Sequence, residues 1–121
     1  MRLAYVNVFV NDLTRATTFY QSHLGLTLTM SAPEYGYSAF DAGTIKLAIL
    51  NPGPGQPAIV GRHTGVGFEV EDLAAEHARL AALGVTFTMP PTHQPWGGFM
   101  ALFTDPDGNV FYLDQARGAH A

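Results

Sequence analysis

The side chains best suited to bind a metal ion are five histidines, His23, His63, His77, His93 and His120. A divalent ion needs imidazole or carboxylate lone pairs that converge on one point, and on a helix that requires a spacing such as i,i+4. No two of the five are spaced in that way or in another compact ligand pattern. His23 and His77 fall in stretches that read as helix, where a surface or helix-end role suits them, and His120 falls in a terminal stretch expected to fray. His63 and His93 fall in expected loops. Two imidazoles without carboxylates from neighbouring strands make a thin site, so neither a metal nor another cofactor is expected. The chain has no cysteine, which excludes disulfides, thiolate metal sites and cysteine nucleophiles. That also fits a reducing cytoplasm, the expected location. For acid–base chemistry the candidates are Glu69, as a general base or an amine anchor, and His93, as a donor or proton carrier. A solvated surface position is the plainer reading of both.

The broader signal is aromatic. Tyr5, Phe9, Tyr35, Tyr37, Phe40, Trp96, Phe99 and Tyr112 fall on or beside segments that read as extended, and flat rings favour planar or cationic guests. Phe40 and Phe99 read equally well as core; Phe19, Phe68, Phe87 and Phe111 read as core outright. Only 13% of the 121 residues are charged against about 25% in most soluble domains, while 47% are apolar. Much of the surface is therefore expected to face something other than water, a binding cavity or a subunit interface. The net charge of −4 and the absence of a basic cluster argue against nucleic acid. No stretch has the apolar length of a membrane span, and the first residues alternate like a strand rather than forming the apolar run of a signal peptide.

These side chains need elements to position them. Residues 4–10 alternate, with Val6, Val8 and Val10 on one face and Tyr5, Asn7 and Phe9 on the other. Asp12 supplies an N-cap, Leu13, Ala16 and Tyr20 follow at helical spacing, and Gly25 offers a C-terminal stop, which predicts a helix over residues 12–24. Extended segments follow at 26–30, 35–40 and 44–50. The same order then recurs about 60 residues later. Gly65 to Leu73 repeats the strand-then-Asp-Leu pattern of Tyr5 to Leu13, and Leu83-Gly84-Val85-Thr86 repeats Leu24-Gly25-Leu26-Thr27. Extended segments at 85–89, 99–104 and 109–114 complete the second set. The reading is a single α+β domain of two βαβββ modules, 1–50 and 64–115, joined by a Pro/Gly-rich connection, 51–63. One module is too small to cover both faces of its sheet, so the two are expected to build a curved mixed sheet around a ligand cup. Alternation puts Val66, Phe68, Val70, Phe111 and Leu113 on the helix side. Gly65, Gly67, Glu69 and Tyr112 then point into the cup. The connection permits pairing within one chain or exchange between two.

Taken together, Val10-Asn11-Asp12-Leu13 with Phe19-Tyr20 and Leu24-Gly25-Leu26, the second Val70-Glu71-Asp72-Leu73, Pro95-Trp96-Gly97-Gly98 and Asp105-Pro106-Asp107-Gly108-Asn109 resemble the vicinal oxygen chelate superfamily. That group includes glyoxalases, extradiol dioxygenases and bleomycin-resistance proteins. The resemblance covers nearly the whole chain and implies a ligand cup, commonly within a homodimer. Members that use metal carry histidine, glutamine or glutamate at four cup positions. Here those positions carry Tyr5, Leu47 (or Lys46 if the register shifts by one), Gly65 and Tyr112, none of them a usual divalent-cation ligand. Gln94-Pro95-Trp96-Gly97 is similar to a stretch of the bleomycin-resistance branch in which the tryptophan contacts the drug. Trp96 is therefore the foremost candidate contact, although a loop tryptophan that closes one end of the cup fits as well.

The expected function is metal-independent binding of an aromatic or cationic small molecule, an antibiotic being one candidate, in a homodimer. Its expected binding residues are Tyr5, Asn7, Phe9, Tyr35, Tyr37, Leu47, Glu69, His93, Trp96, Phe99 and Tyr112. The alternatives are an enzyme of the same superfamily, a lyase, isomerase or dioxygenase with a non-standard metal site or metal-free acid–base chemistry, and a scaffold whose cup is vestigial.

Overall fold

Asp12 and Asp72, the paired aspartates of the repeat, each start a helix in the computed structural model, which describes residues 1–53 and 57–116. Asp12 Oδ1 accepts the Arg15 N–H at 3.0 Å and Asp72 Oδ1 accepts the Ala75 N–H at 3.1 Å. Each cap satisfies one of the amide donors that a helix start leaves unpaired. The first helix, α1 (Leu13–Thr18), widens into a π turn over Phe19–His23, where the Leu24 N–H reaches back to Phe19 O. The second, α2 (Leu73–Ala82), is regular and alanine-rich. Gly84 follows it at φ +90, a conformation that would strain any L side chain, and Gly25 holds the matching place at φ +77.

The chain divides into two compact units, residues 1–62 with 106–109, and 63–105 with the chain from Val110 on. The first contains α1 and a mixed sheet in the order β1-β4-β3-β2, from β1 (Tyr5–Phe9), β2 (Thr27–Ala32), β3 (Tyr37–Asp41) and β4 (Lys46–Leu50). β1 and β4 are parallel, and the other pairs are antiparallel. The second unit repeats this with α2, β5 (His63–Val70), β6 (Thr86–His93), β7 (Phe99–Thr104) and β8 (Val110–Gln115), ordered β5-β8-β7-β6 with β5 and β8 parallel. Even the irregularities repeat: β2 slips register between Leu28 and Met30, and β6 between Phe87 and Met89.

Each sheet has a helix face and an open face, which register assigns residue by residue. In the first unit Val6 pairs with Leu47, Val8 with Ile49, Phe40 with Leu47 and Ser38 with Ile49. The Tyr20 ring lies 5.9 Å from that of Phe40, and Thr17 Oγ1 donates to Ser38 Oγ at 3.2 Å, so these residues form the helix face. Phe40 is therefore core. In the second unit Phe68, Phe103 and Phe111 cluster with ring centroids 5.4 to 6.1 Å apart, and Phe87 meets His77 of α2 at 4.5 Å. Burial of these large side chains supplies most of the favourable free energy, about 1.5–3 kcal/mol for each one fully covered.

The turn between β7 and β8 belongs to the first unit. Asn109, 1% exposed, accepts the N–H groups of Gly61 and Arg62 on Oδ1 at 2.9 and 3.2 Å, and its Nδ2 donates to Phe9 O at 2.9 Å. Arg15 adds a hydrogen bond to Pro106 O at 3.2 Å and an ion pair with Asp107 at 3.6 Å. His120 and part of the Pro/Gly-rich connection lie outside the described residues. Among the described residues no helix is long and apolar enough to cross a membrane.

Candidate ligand-binding site

The open face of the first sheet begins with the row Tyr5, Lys46, Asp41 and Thr27, read across β1, β4, β3 and β2. The next rows are Asn7, Ala48, Ala39 and Met30, then Phe9, Leu50, Tyr37 and Ala32. A cleft of about 510 Å³ opens beside the first row, lined by Arg2, Tyr5, Thr29, Tyr37, Asp41, Thr44 and Lys46 among others. That volume lies within the roughly 300–1,000 Å³ typical of small-molecule sites. Tyr5 is 56% exposed and Tyr37 half-buried, so both offer ring surface from strands rather than from loops. Thr29 sits at the β2 register slip, and its Oγ1 donates to Ala39 O at 3.2 Å.

Leu47 does not belong to this site. It is 2% exposed on the helix face, paired with Val6 and Phe40, and its neighbour Lys46 takes the place beside Tyr5. The reason is the two-residue period: Leu47 and Ile49 are the larger apolar side chains of β4, and burying them under α1 turns Lys46, Ala48 and Leu50 to the open face. The repeat also gives the counterpart of Tyr112. Gly67 pairs with Tyr112 as Asn7 pairs with Ala48, so the position expected at Leu47 falls on Ala48, with Lys46 one row away.

On the open face of the second sheet Tyr112 lies between Gly67 and Leu102 in register, and its ring is 5.1 Å from that of His63. His63 is therefore the first residue of a strand rather than a loop residue. Glu69 is exposed beside Asp114. A Cβ at Gly67 would make ordinary contacts of 3.5 Å with Tyr112 Cβ and Asp114 Oδ2, so the open face has room there for a small side chain.

Phe99 and His93 are brought together but not on this face. They pair across β7 and β6 and stack with centroids 4.2 Å apart at 18°. Phe99 shares the alternation of Ala101 and Phe103, which face the helix side, and His93 goes with it. Tyr35, 82% exposed, stands on a short 3-10 turn (Pro33–Tyr35), outside the cleft lining. Trp96, 66% exposed, tips the turn closed by Gln94 N–H to Gly98 O at 2.7 Å and Gly97 N–H to Gln94 O at 3.0 Å. Arg2, Thr29, Asp41 and Thr44 are cleft residues that the sequence reading missed. Alternation along β3 from Tyr37 through Ala39 would have suggested Asp41, and the expected segment 44–50 puts Thr44 in phase with Lys46, whereas Arg2 lies outside any strand and carries no periodic signal.

A divalent cation fits these positions poorly. Tyr5, Lys46 or Ala48, Gly65 and Tyr112 include no carboxylate or imidazole, the side chains that usually bind a divalent ion. Among the described residues no three His, Cys, Asp or Glu side chains come together in a way that would hold a metal.

Paired βαβββ units with an open sheet face define a fold that solved structures share. A family model for the Glyoxalase/Bleomycin resistance protein/Dioxygenase superfamily matches residues 2–113, and this chain belongs to that superfamily. Among solved structures, one superfamily member from Sphaerobacter thermophilus DSM 20745 is 26% identical with a TM-score of 0.80, covering 96% of this chain and 98% of its own. TnmS3, an antibiotic binding protein from Streptomyces sp. CB03234, is 29% identical with a TM-score of 0.80, covering 95% of each chain. The uncharacterized protein YetH of Bacillus subtilis (strain 168) is 25% identical over 118 residues, which span 94% of this chain and 98% of YetH.

Proposed function

We propose that this protein binds an aromatic small molecule without a metal and acts by sequestering it rather than converting it. The observation that carries this reading is the pairing of a cleft of about 510 Å³, to which Tyr5 and Tyr37 contribute rings, with superfamily metal positions that hold tyrosine, lysine or alanine, and glycine. Tyr5 and Tyr37 are the ring contacts, each stacked pair contributing about 0.5–1.5 kcal/mol beyond area burial. Asn7 and Phe9 extend the same face, and Tyr112 and Glu69 are the matching candidates on the second sheet. TnmS3, described as an antibiotic binding protein, supports an antibiotic as one class of guest. A homodimer in the cytoplasm completes the reading.

The test has two parts. Protein purified without chelator is assayed for Zn, Ni, Mn and Fe, and then incubated with planar aromatic compounds that are recovered and analysed. The reading expects substoichiometric metal and guests returned unchanged. Stoichiometric metal, or a guest returned as a product, would overturn it in favour of an enzyme.

A further inference from the structure

The cleft of the first unit carries more cationic than anionic side chains. Lys46 stands in one row with Tyr5 on β1 and Asp41 on β3, and Arg2 lines the same cleft. Asp41, the one carboxylate in the lining, is the register partner of Lys46 but forms no ion pair with it; its Oδ1 accepts the Gly43 N–H at 3.0 Å in the β3–β4 turn, and its charge leaves the lining at a formal +1. Among the described residues neither Lys46 nor Arg2 forms an ion pair within 4.0 Å. Two cations without carboxylate partners therefore share a concave site with two phenol rings. A concave site with walls of lower dielectric than water strengthens the attraction between such cations and an anion.

We propose that this cleft selects an aromatic acid, a planar ring system bearing a carboxylate, with the ring against Tyr5 and Tyr37 and the carboxylate on Lys46, assisted by Arg2. The inference rests on the small-molecule reading above and commits it to an anionic guest rather than the cationic one that aromatic composition alone suggested. Lys46 sets specificity by charge, and the tyrosines contribute affinity that is indifferent to charge.

Three probes of the same ring and different charge separate these contributions: 2-naphthoate, 2-naphthamide and 2-naphthylmethylammonium. Each is titrated by calorimetry at low salt into the full chain and into its Lys46→Met and Lys46→Arg variants. The expected order is naphthoate, then amide, then ammonium, with naphthoate preferred over amide by roughly fivefold, the scale of one partly exposed ion pair. Lys46→Met removes most of the preference for naphthoate over the amide, leaving the smaller share that Arg2 supplies; Lys46→Arg keeps the preference. Thermal melts of both variants check that the fold is retained. Equal binding of all three probes, or a naphthoate preference that survives Lys46→Met undiminished, overturns the anionic assignment while the small-molecule reading stands. Binding of none of the three to the unaltered chain overturns both.

Discussion

Replacing Asn109 by alanine should destabilise the first unit more than any exposed substitution. The side chain is 1% exposed; its Oδ1 accepts from Gly61 N and Arg62 N and its Nδ2 donates to Phe9 O. A typical intramolecular hydrogen bond contributes a net ~1 kcal/mol, and a buried partner left unsatisfied costs more. Gly61 and Arg62 are exposed residues, so water replaces part of what their amides lose, whereas the Phe9 carbonyl belongs to a strand residue only partly open to solvent. The sum is about 2–3 kcal/mol. At roughly 4 °C per kcal/mol for a chain of this size, Tm should fall by about 8–12 °C. Circular dichroism melts of the two proteins at equal concentration measure it. Asn109→Asp keeps the acceptor but sets a carboxylate oxygen against the Phe9 carbonyl, so it should cost at least as much as the alanine variant. An Asn109→Ala protein that melts within about 3 °C of the parent would refute the clamp, because so small a loss is that of a surface substitution.

Adjacent residues of β4 give a sharper contrast. Leu47→Ala should cost about 2–5 kcal/mol, as a core truncation does, while Lys46→Ala should stay within about 0.5 kcal/mol; denaturant melts showing the two equal would reverse the assignment of faces. Asp72→Ala should cost about 1 kcal/mol through loss of the α2 cap, and an unchanged denaturation midpoint would mean that the bond to Ala75 contributes nothing.

What could be read from the sequence follows how local each determinant is. The caps at Asp12 and Asp72 were legible because a capping side chain bonds to an amide three residues on, and Val6 and Val8 against Tyr5 and Asn7 were legible because a strand alternates. The placement of Leu47 was not. It depends on the pairing of β4 with β1, which are parallel and lie far apart in sequence, and one step of register turns a core leucine into a cleft lysine. His93 lies beyond the expected extended segment 85–89 and so reads as a loop residue, and Pro90 and Pro91, which cannot donate to a sheet ladder, stand between. β6 nevertheless runs through them, being an edge strand whose register slips between Met89 and Thr92, where the missing donors are tolerated. The π turn after α1 had no sequence signal either, since Phe19 to His23 reads as ordinary helix. Of the expected site residues, Tyr5 and Tyr37 line the cleft, while Trp96 and Tyr35 stand exposed on turns outside its lining.

The most direct test of the central claim is the affinity of a planar aromatic guest for chelator-treated protein, measured before and after addition of Zn, Ni, Mn or Fe, with backbone amide shifts followed by NMR. The account predicts an affinity that metal does not change, with shift changes centred on Tyr5, Tyr37, Thr44 and Lys46. Binding that appears only when one equivalent of metal is restored, or shifts that leave those four amides untouched, would contradict it.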